Sequence, residues 1–143
     1  MVSPRAPRKW RGISDRGPAV NGYRFWKDPL WWCACLAYAA NRWIMSPALG
    51  GNFLRGQFDD LWLIPAALPV VLELQSWLKL RPAGAWPSNL EIGFHWLVWS
   101  VICEGIAPRF ISHCVSDWRD VVAYGAGAAF AAIWWRFQEP VVA

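Results

Sequence analysis

The chain has 143 residues, of which 56% are hydrophobic and 17% charged, and it contains 13 tryptophans. This length suits one domain, while so apolar a composition excludes a typical soluble domain. The formal net charge is +4, and most of the positive excess precedes residue 28.

Residues 1–27 form a predicted basic tail without long helices. This stretch combines Lys and Arg side chains with scattered Pro and Gly residues, which oppose a long helix. A nucleic-acid-binding arm and a cytoplasmic tail held at an anionic bilayer surface both fit this charge. Because a strongly hydrophobic chain follows, we favour the membrane interpretation and expect no nucleic-acid partner.

Four apolar segments follow the tail and are predicted to be membrane-spanning helices. Asp28 is a plausible N-cap for the first and Ser88 or Asn89 for the third, while Pro65 and Pro69 predict a kink in the second. Each segment is close to the lower length limit for crossing a bilayer, about 17 residues. The predicted spans are approximately 29–46, 60–78, 89–106 and 120–135.

The predicted fold class is therefore all-α: a four-helix transmembrane bundle with short loops. It occupies residues 28–137, and residues 138–143 form a C-terminal tail. Tryptophans near the ends of the segments match the aromatic belts of membrane proteins. The Lys and Arg distribution predicts a multi-pass protein of the bacterial inner membrane with both termini in the cytoplasm. Membrane lipids are its expected partners.

Ionisable side chains from all four segments are predicted to meet at the outer membrane face. One interpretation is structural, because aspartates cap helices and arginines neutralise carboxylates near lipid. The other is a shallow site for a cation, a polar headgroup or a lipid-linked substrate. The candidate ligand-binding residues are Arg42, Asp59, Asp60, Glu104, Arg109, Asp117 and Asp120.

Glu104 is the deepest of these carboxylates in the predicted bundle. Paired with Arg109, it stays charged. Buried and unpaired, it becomes a candidate proton donor or acceptor.

Small residues in the fourth segment predict close helix packing. Gly125, Gly127 and Ala131 let a neighbouring backbone approach, either inside the bundle or in another subunit. The sequence has no dinucleotide fingerprint, P-loop or C-x-x-C pair, so we expect no cofactor and no metal.

The last third of the chain resembles the VanZ-like family of small bacterial membrane proteins. Glu104 ends one segment, and Asp117, Asp120 and Gly127 then fit the family pattern D-x-x-D-x-x-x-N-x-x-G, with Tyr124 in place of its asparagine. The similarity covers about residues 100–132. It implies a multi-span inner-membrane protein linked loosely to the cell envelope and to glycopeptide tolerance.

Three functions remain open from the sequence. The first is a cell-envelope membrane protein, not clearly an enzyme, with the outer charged cluster as its site. The second is an accessory subunit of a larger membrane complex. The third is a small transporter, which would need to form a homo-oligomer because four short spans leave little room for a pathway.

Overall fold

The chain forms an up-and-down helical bundle. The computed structural model describes residues 22–49, 51–112 and 115–139, and within them every regular element is helical. A short 3₁₀ turn at Phe25–Lys27 precedes the bundle. The helices are α1 (29–49), α2 (Asn52–Arg55), α3 (Gln57–Trp77), α4 (Asn89–Phe110) and α5 (Trp118–Gln138). The all-helical prediction is confirmed.

Polar side chains cap three of the long helices at their N-termini. Asp28 directly precedes Pro29, and its side chain accepts the backbone N–H of Leu30 at the start of α1. Ser88 and Glu91 form a reciprocal capping box at the start of α4, and Asp117 caps α5. These caps satisfy backbone donors that a helix leaves free. The predicted caps Asp28 and Ser88 are confirmed.

Two helices continue beyond prolines that lie near their C-terminal ends. In α1 a π-helical turn at Asn41–Met45 precedes Pro47, and in α4 another at Val101–Ile106 precedes Pro108. A proline ring clashes with the carbonyl four residues before it, and the wider π turn provides space there. Helices α1 and α4 therefore extend past the predicted segment ends at residues 46 and 106.

Helix α3 lies at the centre of the bundle and contacts α1, α4 and α5. We call the end where α1 and α4 begin the Asp28 end, and the opposite one the Asp60 end. The buried apolar core extends from mid-bundle to the Asp28 end, so the Asp60 end is left to polar side chains. The core consists of Tyr23, Leu30, Ile64, Leu68, Leu72, Ile92, Ala128, Ala131 and Trp135.

A proline and a glycine bring α3 and α5 into close contact. Pro65 has no N–H, so the carbonyl of Leu61 lacks its usual donor four residues later. Gly127 of α5 lies directly against that carbonyl, and a Cβ at position 127 would overlap its oxygen. Helix α3 nevertheless runs unbroken through Pro65 and Pro69.

Part of the predicted basic tail belongs to the bundle. The Tyr23 side chain is buried in the core, and its backbone N–H donates to the carbonyl of Gly84 in the α3–α4 loop at 2.8 Å. A Cβ on Gly22 would lie 3.1 Å from the Cα of Gly84, so this crossing requires a small residue. Residues 1–21 lie outside the described part of the chain.

Helix α4 is long and apolar enough to cross a membrane. It has 22 residues, and only 17% of its most apolar stretch is buried by the rest of the protein. Among the described helices it alone meets this standard of length and composition.

Candidate functional site

A cavity of about 670 Å³, open to the outside, lies between the helices at the Asp60 end. Its charged lining consists of Asp59 and Asp60 from α3, Asp120 from α5 and Arg42 from α1. Its volume lies within the range typical of small-molecule sites, about 300–1,000 Å³. Four of the seven sequence-predicted site residues therefore share one cavity.

Asn41, at the start of the π turn in α1, links that helix to α3. Its side-chain amide donates to Asp59 Oδ1 at 2.8 Å and to the Leu54 carbonyl at 2.6 Å. Asn41 is fully buried, and its Oδ1 accepts from no residue that the structure describes. The π turn thus holds an amide directly behind a cavity carboxylate.

Glu104, within the π turn of α4, links that helix to the start of α5. One carboxylate oxygen accepts the backbone N–H of Asp117 at 2.7 Å, and the other accepts the Tyr124 hydroxyl at 3.3 Å. Tyr124 also lines the cavity. Glu104 and Asp117 are therefore joined to the cavity through Tyr124.

A second hydrogen bond ties α5 to α3 at the cavity wall. Gln57 donates its side-chain amide to Asp120 Oδ1 at 3.1 Å. Gln57 lies in the first turn of α3, just before Asp59 and Asp60. The N-termini of α3 and α5 therefore both place carboxylates of their first turns at the cavity. The helix dipole favours negative charge at these positions.

The arginines do not neutralise this end as the structural interpretation expected. Within the described ranges the ion pair found is Arg81 with Glu91, and it lies at the Asp28 end. Arg42 is exposed and lines the cavity, whereas Arg109 is exposed outside it. Of the two alternatives for Glu104, the pair with Arg109 is not formed, and two neutral donors contact the carboxylate instead.

Three aromatic side chains complete the cavity wall. Tyr38, Trp62 and Tyr124 come from α1, α3 and α5. The indole N–H of Trp62 is buried and has no acceptor among the described residues. From the sequence, Tyr124 was singled out only for replacing a family asparagine, and none of these rings was predicted at a site. Each ring lies three or four residues from Arg42, Asp59 or Asp120 on the same helix, and this spacing could have predicted that they share a face.

The small residues of α5 face the inside of the bundle. Gly127 and Ala131 are buried, and Gly127 contacts α3 as described. A Cβ on Gly125 would lie 3.3 Å from the Trp96 indole nitrogen of α4. Of the two open placements for this surface, the structure shows the one inside the bundle.

At the Asp28 end, several hydrogen-bond donors surround the Asp28 carboxylate and form a cluster with it. The sequence predicted Asp28 only as a helix cap. Besides capping α1, Asp28 accepts the Tyr23 hydroxyl at 3.1 Å. It also accepts the indole N–H groups of Trp134 at 3.2 Å and Trp135 at 2.5 Å. With the Leu30 backbone N–H this makes four donors. A carboxylate has about four acceptor positions, so this cluster is saturated.

Tyr23 is the titratable donor of this cluster. Burial raises the pKa of Tyr23 above its ordinary value, and the neighbouring Asp28 charge and hydrogen bond raise it further. The hydroxyl therefore stays protonated and keeps donating to Asp28 through the neutral pH range. This end of the protein is built for attachment of the Tyr23 segment.

No three His, Cys, Asp or Glu side chains within the described ranges are grouped closely enough to hold a metal ion. The carboxylates at the Asp60 end instead stand around a wide cavity with aromatic side chains between them. This geometry suits a molecule with a charged group better than a bare ion.

Comparison with protein-family models, with curated proteins and with solved structures finds no match to this chain. The resemblance to the VanZ-like family therefore stays a prediction.

Proposed function

We propose that this chain is a small integral membrane protein of the bacterial cell envelope whose four long helices cross the bilayer. The observation that carries the proposal is the exposure of large apolar side chains on every long helix. Patches of this extent rarely face water. Examples are Leu36 of α1, Leu74 of α3, Leu97 of α4 and Ile133 of α5, each exposed by more than half.

The dimensions of the helices support four spans. Each long helix has 21 or 22 residues, and at about 1.5 Å per residue such a helix matches the roughly 30 Å hydrocarbon core. Helices α1, α3 and α5 do not meet the standard of length and composition that α4 meets, and they carry Pro, Gly or Trp residues and charges near their ends. Those features belong to helix packing and to membrane interfaces.

Cysteine labelling tests this topology. The four native cysteines are replaced by alanine, and single cysteines are introduced at Ser116 beside α5, at Ala83 in the α3–α4 loop and at Leu97 in α4. All three positions are exposed in the structure. Intact cells with a permeabilised outer membrane are then treated with a membrane-impermeant maleimide.

We expect labelling of Ser116→Cys in intact cells, of Ala83→Cys only after lysis, and of Leu97→Cys in neither case. Position 97 is the matched control, because its side chain is 57% exposed and only lipid would shield it. Labelling of Leu97→Cys in native membranes would contradict the four-span proposal, as would labelling of positions 83 and 116 from the same side.

The cavity at the Asp60 end is proposed to bind a cationic group that reaches it from the periplasmic side. The carboxyl groups of Asp59, Asp60 and Asp120 converge on the cavity, and aromatic faces such as Tyr38 and Tyr124 attract organic cations. Acidic and aromatic groups on three different helices converge there, which a purely capping role does not require. The function proposed is recognition of an ammonium-type ligand at the outer leaflet.

Binding is measured on the purified protein in mild detergent by titration with ethanolamine, following tryptophan fluorescence because Trp62 lines the cavity. We expect saturable binding in the wild-type protein. The Asp60→Asn/Asp120→Asn double variant should bind at least about tenfold more weakly, which corresponds to a loss of about 1.4 kcal/mol of binding free energy. Glu139→Gln, an exposed substitution at the Asp28 end, should bind like the wild type. Equal binding by the double variant would refute the assignment.

The accessory-subunit and transporter alternatives have no comparable support. The small-residue surface of α5, expected to dock a partner, is used inside the bundle at Gly127 and Gly125. For this reason the outer cavity is the better basis for a function. The VanZ-like kinship is proposed with it, because the motif residue Glu104 accepts the backbone N–H of the motif residue Asp117 and the hydroxyl of Tyr124, which replaces the motif's asparagine.

A further inference from the structure

We propose that the ligand of this cavity is an aminoalkyl phosphate, in which an ammonium group and a phosphate are joined by a short carbon chain. This inference rests on the proposed function, because it takes the cation-binding cavity as its starting point. It adds a second, negatively charged half to the ligand and assigns that half to different side chains.

The carboxylates account for the positive half of the ligand. Asp60 of α3 and Asp120 of α5 line the same cavity beside the Tyr124 ring, so negative charge and an aromatic face meet there. Both features stabilise an ammonium group.

Arg42 accounts for the negative half. It lies on the α1 side of the same cavity, and within the described ranges it has no ion pair. A guanidinium group binds phosphate oxygens with paired hydrogen bonds. An arginine used only to neutralise the neighbouring aspartates would contact one of them, and this one does not.

One buried polar atom on a cavity-lining residue gives an independent indication of the negative half. Trp62 lines the cavity, and its indole N–H has no acceptor within the described ranges. Buried polar groups rarely stay unpaired, and a phosphate oxygen would accept this N–H.

The same chemistry occurs in a soluble compound and in a lipid, and the experiment separates them. The full chain in mild detergent is titrated with ethanolamine, with phosphoethanolamine and with inorganic phosphate. It is also reconstituted in nanodiscs of phosphatidylglycerol with and without phosphatidylethanolamine, and the lipid retained after exchange is measured by native mass spectrometry. The variants are Arg42→Gln and, as matched control, Arg119→Gln, an exposed arginine at the same end outside the cavity.

We expect phosphoethanolamine to bind at least about tenfold more tightly than ethanolamine, and Arg42→Gln to reduce this ratio to within about twofold of one while ethanolamine binding is kept. Arg119→Gln should leave the ratio unchanged. Preferential retention of phosphatidylethanolamine that depends on Arg42 would identify the lipid as the source, and tight binding of phosphoethanolamine without such retention would identify the soluble compound.

Three results would overturn the inference, and they differ in whether the cation site proposed above is also refuted. If both amines bind equally to the wild type, or if Arg42→Gln and Arg119→Gln lower the ratio equally, the phosphate half is wrong and the cation site remains. If neither amine binds, the cation site proposed above fails as well.

Discussion

The substitution Gly127→Ala tests how the two central helices are held together. Gly127 of α5 lies against the Leu61 carbonyl of α3, which Pro65 has freed from its helical hydrogen bond. The new Cβ would overlap the carbonyl oxygen and lie 2.9 Å from the carbonyl carbon. Both partners of this clash are backbone, so no side chain can rotate away and the helices themselves must separate.

The size of the effect follows from this geometry. Ordinary Cβ contacts begin near 3.4 Å, so the helices must separate by at least about 0.5 Å, and by more to clear the oxygen. Overpacking of this kind costs about 1–3 kcal/mol, and the separation weakens other contacts between α3 and α5. Replacing a helical glycine by alanine returns up to about 1 kcal/mol. We therefore expect a net loss of about 1–3 kcal/mol, or roughly 3–10 °C in Tm.

Thermal unfolding of the purified protein in detergent, followed by intrinsic tryptophan fluorescence, measures this loss. Gly93→Ala is the matched control, because a Cβ there meets nothing within 4 Å; it should be neutral or stabilise by up to about 1 kcal/mol. Gly125→Ala should fall between the two, since it meets only the Trp96 side chain. If Gly127→Ala unfolds at the same temperature as Gly93→Ala, the close backbone contact is wrong.

Three further predictions concern the Asp28 end, with Tm as the measurement. Asp28→Asn should lower stability by about 1.5–3 kcal/mol, because an amide offers fewer acceptor positions to the four donors; a Tm equal to that of the wild type would argue against the cluster. The pKa of Tyr23 is raised in the folded protein, so its hydroxyl stabilises the fold below about pH 10 and loses this effect above it. The Tm of the wild type should therefore fall more steeply than that of Tyr23→Phe between about pH 9 and 11. Parallel curves of Tm against pH would contradict this. Arg81 is largely buried and donates to the Glu91 carboxylate and to the Ala85 and Trp86 carbonyls, so Arg81→Gln should lower stability by about 1–3 kcal/mol. The control Arg136→Gln changes an exposed arginine and should alter stability by less than about 0.5 kcal/mol. Similar losses in both variants would argue against a special role for Arg81.

The features that the sequence predicted well are local. A helix cap requires one side chain and a backbone N–H two or three residues later, so Asp28 and Ser88 could be recognised from their neighbours. The positions of the four apolar segments follow from composition alone. The C-terminal ends of α1 and α4 differed because π turns let these helices continue past Pro47 and Pro108, beyond the limits of the apolar runs.

The features that the sequence did not predict depend on which distant residues meet. One of the two alternatives from the sequence paired Glu104 with Arg109, but the α4–α5 turn brings the Asp117 backbone to Glu104 instead. The contact between Gly127 and Leu61 depends on the rotation of α5 about its axis, which a small-residue pattern leaves open. Tyr38 and Trp62 reach the cavity for the same reason, since helix rotation decides which faces converge.

The two ends of the bundle use carboxylates in opposite ways, and this difference supports the cation site proposed at the Asp60 end. At one end, Asp28 receives four donors from the protein, so no acceptor position is left for another molecule. At the other end, Asp59 receives one side-chain donor from Asn41, and Asp120 receives one from Gln57. Carboxylates close to one another with acceptor positions to spare are costly in a low-dielectric setting. A bound ammonium group would offset that cost, and it is at this end that the backbone departs from regular α-helix to bring Asn41 and Glu104 beside the cavity.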